Sequence, residues 1–278
     1  MNKTIPLNKP ITTNKTIPKN KEPKNKAIFI TVRTSSTRLP KKCLLEINGK
    51  KNIDFLIERM KHSKKADMIV VCTTTNPADD ILESIANKQG IKCFRGSEED
   101  KLERWRGAAE KFDVKYVVTA DGDDLLCSPE LIDMGFEQLE KDGCDFIEEK
   151  PGANVPIGAF TYGIKVSALQ KVCEIKGSDN TEMMSVYFTE TGLFEVEILK
   201  NIPEKLKRPE IRMTLDYEDD LKFFKNIIEH FSSKKYFDLF EVMDYLEKHP
   251  EVIKINQYLT DAFLANQKAK TKLVLKKK

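Results

Sequence analysis

Histidine is scarce in this 278-residue chain, and apolar runs of membrane-spanning length are missing. The three histidines, His62, His230 and His249, lie in charged stretches with a helical pattern, and we assign none of them a catalytic role. No segment approaches the roughly 20 apolar residues of a membrane helix, which argues against a membrane protein. The first 26 residues also lack the apolar centre of a secretory signal, so we expect an intracellular, cytoplasmic location.

Cysteine occurs without the spacing of a zinc site or of a disulfide framework. The six cysteines stand singly inside or beside apolar runs, with no CxxC pair and no histidine pair nearby, so we predict buried, reduced thiols. The net charge of +3 is small and gives no indication of a nucleic-acid partner. With 40% hydrophobic and 33% charged residues, the composition is typical of a globular protein.

Composition divides the chain into three segments. The first 26 residues are rich in Lys, Asn, Pro and Thr and repeat NKTIP at positions 2 to 6 and 14 to 18, which predicts a disordered tail. Residues 27–257 contain the apolar runs that a folded domain needs. Residues 258–278 are predicted to be a basic C-terminal tail that is helical or frayed.

Apolar runs alternate with amphipathic stretches from residue 27 onward, which predicts a series of βα units. The predicted strands of the first half cover residues 27–32, 68–73, 91–94 and 115–120. The predicted helices between and after them begin at Asn52, as a cap, and at Pro77, Glu98 and Pro129. Short crossovers of this kind give an α/β fold with a doubly wound, mostly parallel sheet.

The alternation becomes looser beyond Gly143. The patterns there predict strands over residues 159–166, 193–199 and 211–214. They also predict helices over residues 181–189, 217–230 and 238–248. Asp216 follows the third of these strands, so we expect its carboxylate at a strand end.

A basic loop follows the first predicted strand, in the stretch AIFITVRTSSTRLPKKCLL of residues 27–45. It contains four hydroxyl residues in a row, at 34–37, and four cations within ten residues, Arg33, Arg38, Lys41 and Lys42. α/β proteins bind phosphates in loops at the carboxyl ends of parallel strands. The stretch therefore predicts a phosphate-binding loop, with a solvated basic turn as the alternative.

Acidic residues follow two other predicted strands. Asp121-Gly122-Asp123-Asp124 comes directly after the strand YVVTA, and Asp216 stands in RMTLDYEDD. Carboxylates that face a phosphate loop suit Mg²⁺, which takes one or two of them and completes its coordination with phosphate and water. Solvated acidic turns are the alternative.

These residues carry a resemblance to a known family. RTSSTRLPKKCLLEING resembles the signature of the cytidylyltransferases related to CMP-Kdo synthetase, most closely the spore coat polysaccharide biosynthesis protein F family. VVCTTTNPADD, CFRGSEEDKLERW, VVTADGDDLLCSPELID and RMTLDYEDDLKFF resemble further segments of that family, in the same order. The resemblance covers the chain from about Ala27 to Asn256.

The resemblance implies a nucleotide-diphospho-sugar transferase fold of the GT-A-like Rossmann type. It implies one nucleotidyltransferase domain over residues 27–257, with a nucleotide-binding half at 27–143 and an acceptor half at 144–257. The implied reaction transfers CMP from CTP to a small acidic acceptor and releases pyrophosphate, making a precursor of surface glycoconjugates. The implied partners are thus CTP and a small-molecule acceptor, and a homodimer is an open option.

The resemblance also implies roles for individual residues. Arg38 and Lys42 would be catalytic, and Asp123 and Asp216 would hold Mg²⁺. The nucleotide would contact two groups of residues, the triphosphate loop and the surroundings of the base and ribose: Arg33, Ser36, Arg38 and Lys42, and Thr74, Arg95, Ser97 and Arg104. The acceptor would contact Tyr162 and Glu182.

The chain departs from the family's pattern at several positions. Ser35 and Lys41 stand where the family usually has glycines, and these bear on how closely the backbone approaches phosphates. In the acceptor half, Phe160 and Tyr162 replace acidic residues of many relatives, and Met183 stands where histidine is common. A phosphate or phosphonate acceptor is therefore an alternative to a sugar acid.

Two other function classes stay open at this point. A glycosyltransferase of the same fold would use Asp121-Gly122-Asp123 as its metal-binding DxD, but it would have no need of the basic loop after the first strand. A nucleotide-binding protein without catalysis is the other class, against which the presence of Lys42, Asp123 and Asp216 argues.

Overall fold

The computed structural model describes residues 25–277, so the predicted disordered tail lies almost wholly outside the described residues. Seven strands form one sheet in the order β5-β4-β1-β6-β8-β7-β9, and two more form a small hairpin. The strands are Lys26–Thr31 (β1), Glu46–Ile47 (β2), Lys50–Lys51 (β3), Met68–Thr74 (β4), Lys92–Gly96 (β5), Tyr116–Asp121 (β6), Phe146–Glu148 (β7), Tyr162–Lys165 (β8) and Val196–Ile198 (β9).

Helices cover both faces of the sheet. Within residues 25–277 they are Asn52–Met60 (α1), Asp80–Lys88 (α2), Lys101–Lys111 (α3), Pro129–Asp142 (α4), Val166–Ile175 (α5), Val186–Thr189 (α6), Glu218–His230 (α7), Leu239–Lys248 (α8), Pro250–Ile253 (α9) and Thr260–Lys270 (α10). Among these residues, the helices are all too short or too polar to cross a lipid bilayer.

β1 lies at the centre of the sheet and pairs in parallel with β4 on one side and β6 on the other. Successive side chains of β1 enter opposite cores, because side chains of a strand alternate between faces. Ile28 and Ile30 belong to the core that also contains side chains of α1, α2, α4, α7 and α8, whereas Phe29 belongs to the core that contains side chains of α3, α5 and α6. β8 runs antiparallel to β6 and β7, while β7 and β9 are parallel. The α/β class and the mostly parallel sheet are therefore confirmed.

The first half of the sheet matches the predicted strands to within a few residues, but three helix starts differ. The helix predicted from Glu98 begins at Lys101, because the side chain of Asp100 caps it by accepting from Glu103 N. Lys51, rather than Asn52, occupies the cap position of α1. Asn52 is instead the first helical residue, and its buried side chain donates to the carbonyl of Lys42 at 2.8 Å. Pro77 begins a 3-10 turn, Pro77–Asp79, and α2 starts only at Asp80.

The predictions for the second half need larger corrections. Residues 211–214 form no strand of the sheet, and Arg212 makes an isolated bridge to Ile157. The predicted helix at 181–189 shortens to Val186–Thr189, because Thr181 belongs to a loop in which its hydroxyl accepts from Leu102 N at 3.0 Å. The predicted strands at 159–166 and 193–199 shorten to Tyr162–Lys165 and Val196–Ile198.

The predicted C-terminal tail is largely ordered on the body of the protein. Its helix is α10, and beyond it the chain pairs with the end of α5. Gly177 N donates to the carbonyl of Val274 at 2.7 Å, and Lys276 N donates to that of Ile175 at 2.9 Å. All six cysteines are unpaired, five of them buried, which agrees with the prediction of reduced thiols.

A buried arginine ties the C-terminal half together. Arg212 is 0% exposed, and its guanidinium donates to both oxygens of Asp220, at 2.9 and 3.1 Å. Asn256 Nδ2 donates to Asp220 Oδ1 at 2.9 Å, and Asp216 N donates to Asp220 Oδ2 at 2.9 Å. Asp220 therefore compensates the charge of Arg212 and also fixes the backbone at Asp216.

Replacing Asp220 by alanine should destabilise the protein by about 3–5 kcal/mol, because it leaves the buried Arg212 without its main partner. The matched control is Asp219→Ala, which removes a neighbouring carboxylate that contacts Lys222 and Tyr258 at the surface. Urea unfolding should show a large fall in midpoint for the first variant and little change for the second. Equal losses in both variants would contradict the role of Asp220.

Candidate active site

A cavity of about 470 Å³ opens at the carboxyl edge of β1 and β6. The basic loop after β1 and the acidic turn after β6 both line it, because parallel neighbours end at the same edge of a sheet. Further lining comes from residues 155–158 and 160–162, from the loop that contains Glu182, and from α10. The fold therefore brings the two predicted loops together.

The acidic turn lies directly against the end of β1. Gly122 N donates to the carbonyl of Thr31 at 2.8 Å. A Cβ at position 122 would lie 2.6 Å from Cβ of Val32, closer than side-chain contacts allow. Glycine at this position is what lets Asp121 and Asp123 approach the basic loop.

The basic loop is held by Asp79, a buried carboxylate that the sequence indicated only as a helix-start residue. Asp79 Oδ1 accepts from the backbone N of Thr34 at 2.8 Å and from its hydroxyl at 2.7 Å. The hydroxyl of Thr74 donates to the other oxygen, Oδ2, at 2.5 Å. Asp79 thus fixes the loop to the end of β4.

Lys41 and Lys42 point to different surroundings. Lys41 has φ 51°, a left-handed conformation that glycine adopts without strain, and its side chain is exposed. Lys42 Nζ donates to Asp123 Oδ2 at 2.5 Å and to Asp216 Oδ1 at 2.8 Å. Arg38 Nη2 donates to Asp216 Oδ1 at 2.5 Å. Two cations of the loop therefore meet both predicted metal ligands.

This cluster shifts the pKa values of its members. Burial alone would raise the pKa of Asp216, but Lys42 and Arg38 outweigh it and lower the value to about 2. Burial would likewise lower the pKa of Lys42, yet the charges of Asp123 and Asp216 raise it well above its usual range. Lys42 is consequently an ammonium and Asp216 a carboxylate at neutral pH.

Asp121 and Asp124, which flank Asp123 in the acidic turn, show the opposite shift. Burial raises the pKa of Asp121, and Lys101 opposes this only in part. Burial and the neighbouring carboxylates raise the pKa of Asp124 well above its usual range. Of the carboxyl groups at this edge, Asp123 and Asp216 are those that form ion pairs with the cations of the basic loop.

The donor set fits a magnesium ion that shares its coordination with a ligand. Asp123 and Asp216 both direct a carboxylate oxygen at the Lys42 ammonium, so the two oxygens face the same point. In the described part of the chain, no group of three or more His, Cys, Asp or Glu side chains forms a ready-made metal cage. Mg²⁺ uses one or two carboxylates and fills its other positions with phosphate and water, so two carboxylates suffice.

Most of the predicted site residues line this cavity: Arg33, Ser36, Arg38, Lys42, Arg104, Asp123, Tyr162, Glu182 and Asp216. Arg104 is 4% exposed, and its Nη1 donates to the carbonyl of Ser97 at 2.5 Å. Tyr162 packs on Phe146 with 5.3 Å between ring centroids. Glu182 Oε2 lies 3.7 Å from Arg33 Nη2.

The structure does not bring Thr74, Arg95 and Ser97 to the cavity lining. Thr74 is fully buried against Asp79. Arg95 pairs with the carboxylate of Asp80 at 2.6 Å, and its guanidinium donates to the carbonyl of Thr74 at 2.8 Å. Ser97 accepts through its hydroxyl from Asp100 N at 3.0 Å. These side chains brace the ends of β4 and β5 behind the site.

Sequence analysis missed three contributions to the site: Asp79, Arg212 and α10. A carboxylate in the first turn of a helix is common, so Asp79 gave no separate signal. Arg212 lies within RMTLD but was read only as part of a strand. α10 sits in the stretch predicted as a tail, and few apolar residues mark the face that lines the cavity.

A family model described as cytidylyltransferase matches residues 27–252. The chain belongs to the cytidylyltransferase family. The match spans both loops and all seven strands of the large sheet except the first residue of β1. The prediction made from RTSSTRLPKKCLLEING and the later segments is therefore confirmed at the level of the family.

Similar proteins come from several organisms. MJ1063 of Methanocaldococcus jannaschii is 35% identical over 82% of this chain and 93% of that protein. The spore coat polysaccharide biosynthesis protein SpsF of Bacillus subtilis is 28% identical over 80% of this chain and 94% of that protein. Both likenesses extend over nearly the whole relative, so they concern the complete domain rather than a single motif.

Solved structures show the same fold. A cytidylyltransferase of Leptospira borgpetersenii superposes with a TM-score of 0.75 at 27% identity, covering 82% of this chain and 96% of that one. A CMP:2-keto-3-deoxy-manno-octonic acid synthetase, solved with CTP, superposes with a TM-score of 0.57 at 15% identity, covering 74% and 99%. At 15% identity the second likeness concerns the fold alone.

Replacing Lys42 by methionine should lower the free energy of unfolding at neutral pH, because Asp123 and Asp216 then face each other without their ammonium. The loss should shrink as the pH falls from about 4 toward about 2, since a carboxyl group whose pKa is depressed in the folded state contributes stability only while it is ionised. Urea unfolding at pH values across this window measures the effect, and Lys41→Met is the matched control. A loss that stays constant with pH, or that Lys41→Met reproduces, would contradict the assignment.

Proposed function

We propose that this protein transfers CMP from CTP to a small acidic acceptor and releases pyrophosphate. The observation that carries the proposal is the position of the Lys42 ammonium, which donates to both Asp123 and Asp216. Arg38, from the same basic loop, also donates to Asp216. Membership of the cytidylyltransferase family supports the choice of reaction. The relative in Bacillus subtilis is a spore coat polysaccharide biosynthesis protein, which supports a product used in surface polysaccharide.

In the proposed reaction an oxygen of the acceptor attacks the α-phosphorus of CTP. A new phosphorus–oxygen bond forms, the bond to the bridging oxygen breaks, and pyrophosphate leaves with that electron pair. Such transfers depend mainly on positioning and on neutralising charge. Arg33, Ser36 and Arg38 would bind the triphosphate. Lys42 would act as a fixed positive charge rather than a proton donor, because its pKa is raised.

Magnesium is part of the proposal. Asp123 and Asp216 would hold the ion, which when bound would neutralise part of the triphosphate charge. The contacts of Lys42 and Arg38 with the same carboxylates balance two positive charges against two negative ones. Binding of a phosphate group would then exchange carboxylate contacts of the two cations for phosphate contacts, within the same few ångströms.

The acceptor side of the cavity leaves two acceptor classes as candidates. Phe160, Tyr162, Glu182 and Met183 all line the cavity. Several 3-deoxy-manno-octulosonate cytidylyltransferases are relatives over less than half of this chain, which favours a sugar acid as one candidate. The aromatic residues and Met183, which depart from the family's pattern, keep a phosphate or phosphonate acceptor as the other. A cytoplasmic location and a homodimer stay predictions.

The proposal is tested by pyrophosphate release. The purified protein is mixed with Mg²⁺, one of CTP, UTP, ATP or GTP, and a panel of sugar acids, sugar phosphates and phosphonates. We expect release with CTP above the other three nucleotides, and its loss when EDTA removes the metal. Equal turnover of UTP and CTP would contradict the nucleotide assignment. Transfer from a nucleotide sugar without pyrophosphate release would favour a glycosyltransferase, and CTP binding without turnover would favour a non-catalytic protein.

Lys42→Ala should reduce kcat/KM for CTP by about a hundredfold, because a positioned ammonium in a water-poor site stabilises the leaving pyrophosphate by a few kcal/mol. Lys41→Gly should change it by less than about fivefold, because an exposed charge contributes little and glycine accepts the left-handed conformation. Steady-state kinetics of the two purified variants provide the comparison. A larger loss at Lys41 would mean that the register of the loop is wrong by one residue.

A further inference from the structure

Helix α10 lines the cavity although it lies outside the region that the family match covers. The match ends at residue 252, and α10 begins at Thr260. Phe263, Asn266, Gln267 and Lys270 all line the cavity. Their spacing of three, four and seven residues places them on one face of a helix. This face is therefore a wall of the cavity that the family core does not supply.

The beginning of α10 is fixed to the buried network around Arg212. Phe263 is 8% exposed, and the guanidinium carbon of Arg212 lies 4.5 Å from the centroid of its ring. Arg212 Nη2 in turn lies 3.3 Å from Asp216 Oδ2. The wall is consequently built onto the same arginine that contacts a proposed metal ligand.

The end of α10 is fixed by the segment that follows it, residues 274–276, which we call the strap. The strap pairs with residues 175–177 through the two backbone hydrogen bonds to Gly177 and Ile175. A Cβ at Gly177 would lie 2.7 Å from the backbone carbonyl of Leu275, so only glycine allows this approach. Lys176, which is 6% exposed, forms a buried ion pair with Asp100 beside it.

We propose that α10 is the acceptor-facing wall of the cavity and that Lys270 recognises an anionic group of the acceptor. The inference rests on the proposed cytidylyl transfer and names its acceptor contact. Lys270 Nζ lies 4.0 Å from Glu182 Oε1, beyond hydrogen-bond distance. Glu182 also lies 3.7 Å from Arg33, so one carboxylate stands between two cations without a close bond to either.

This arrangement suits an anionic ligand. Glu182 lies between two cations, one of which, Arg33, is assigned to the triphosphate. An acceptor carboxylate, phosphate or phosphonate can form a charge-assisted hydrogen bond with the other, Lys270, which Glu182 does not bond closely. Because Arg33 belongs to the basic loop, a group bound at Lys270 lies beside the proposed triphosphate site. That is where an acceptor must lie to reach the α-phosphorus.

The test compares Lys270→Met with Lys268→Met in the full-length protein. Lys268 lies on the same helix and is exposed like Lys270, but it does not line the cavity. Binding of methylphosphonate, glycerol phosphate and 3-deoxy-manno-octulosonate is measured by NMR titration, with CTP and EDTA present so that no turnover occurs. We expect Lys270→Met to weaken binding of at least one probe by about tenfold or more, as for a lost charge-assisted bond. Lys268→Met should change it by less than about twofold, and CTP affinity should stay the same in both variants.

Three results would overturn the inference. They are wild-type protein that binds none of the three probes, equal effects of the two lysine variants, and a loss of CTP affinity rather than probe affinity in Lys270→Met. The titration does not depend on catalysis, so its outcome is separate from that of the pyrophosphate assay. Wild-type protein that binds a probe but releases no pyrophosphate would contradict the proposed function and leave the acceptor contact in place.

Gly177→Ala tests the anchoring of the wall. The substitution leaves every lining residue unchanged but pushes a methyl group into the strap. We expect it to weaken probe binding at least threefold and to leave CTP affinity unchanged, since α10 would lose its fixed end. Unchanged probe binding, with the substituted protein folded by circular dichroism, would show that the strap does not position Lys270.

Discussion

The ion pairs of Lys42 with Asp123 and Asp216 join parts of the chain that are far apart in sequence. Lys42 reaches both carboxylates from the loop after β1, while Asp123 follows β6 and Asp216 belongs to the C-terminal half. Each partner is fixed by a separate contact. Asn52 holds the carbonyl of Lys42, and Asp220 holds the backbone of Asp216. Leu215 N also donates to the carbonyl of Asp123 at 2.9 Å, so the backbone segments that carry the two carboxylates are joined directly.

Such a cluster is stable only if its charges stay paired, because taking an unpaired charge out of water costs several kcal/mol. Asp216 is 1% exposed and has three cationic neighbours, Arg38, Lys42 and Arg212. A triphosphate would bring negative charge to Arg38 and Lys42, and a divalent cation would bring positive charge to the carboxylates. The proposed ligands would thus replace each internal ion pair by an external one, so that no charge of the cluster is left unpaired.

The local sequence predicted the strands that are buried on both faces. β1, β4 and β6 are covered on both faces, so their apolar runs were visible, and the loops that follow them could be placed at one edge of the sheet. The predictions for the residues around 181 and 212 were wrong because tertiary contacts determine the local structure there. Thr181 bonds Asp100, and Arg212 pairs with Ile157 and Asp220 instead of entering the sheet. The sequence next to either residue contains no pattern that predicts these partners.

The position of α10 on the cavity was not predicted for a related reason. Phe263 is the one buried residue of α10, and a single buried residue is too little to show a helical period. What holds the helix is the guanidinium of Arg212, an ion of the same network that orients Asp216. The matched region contains the basic loop and the carboxylates, whereas the proposed acceptor wall lies beyond it. Because α10 is fixed at both ends, an exchange of Lys270 would alter the proposed acceptor contact and leave Asp123 and Asp216 in place.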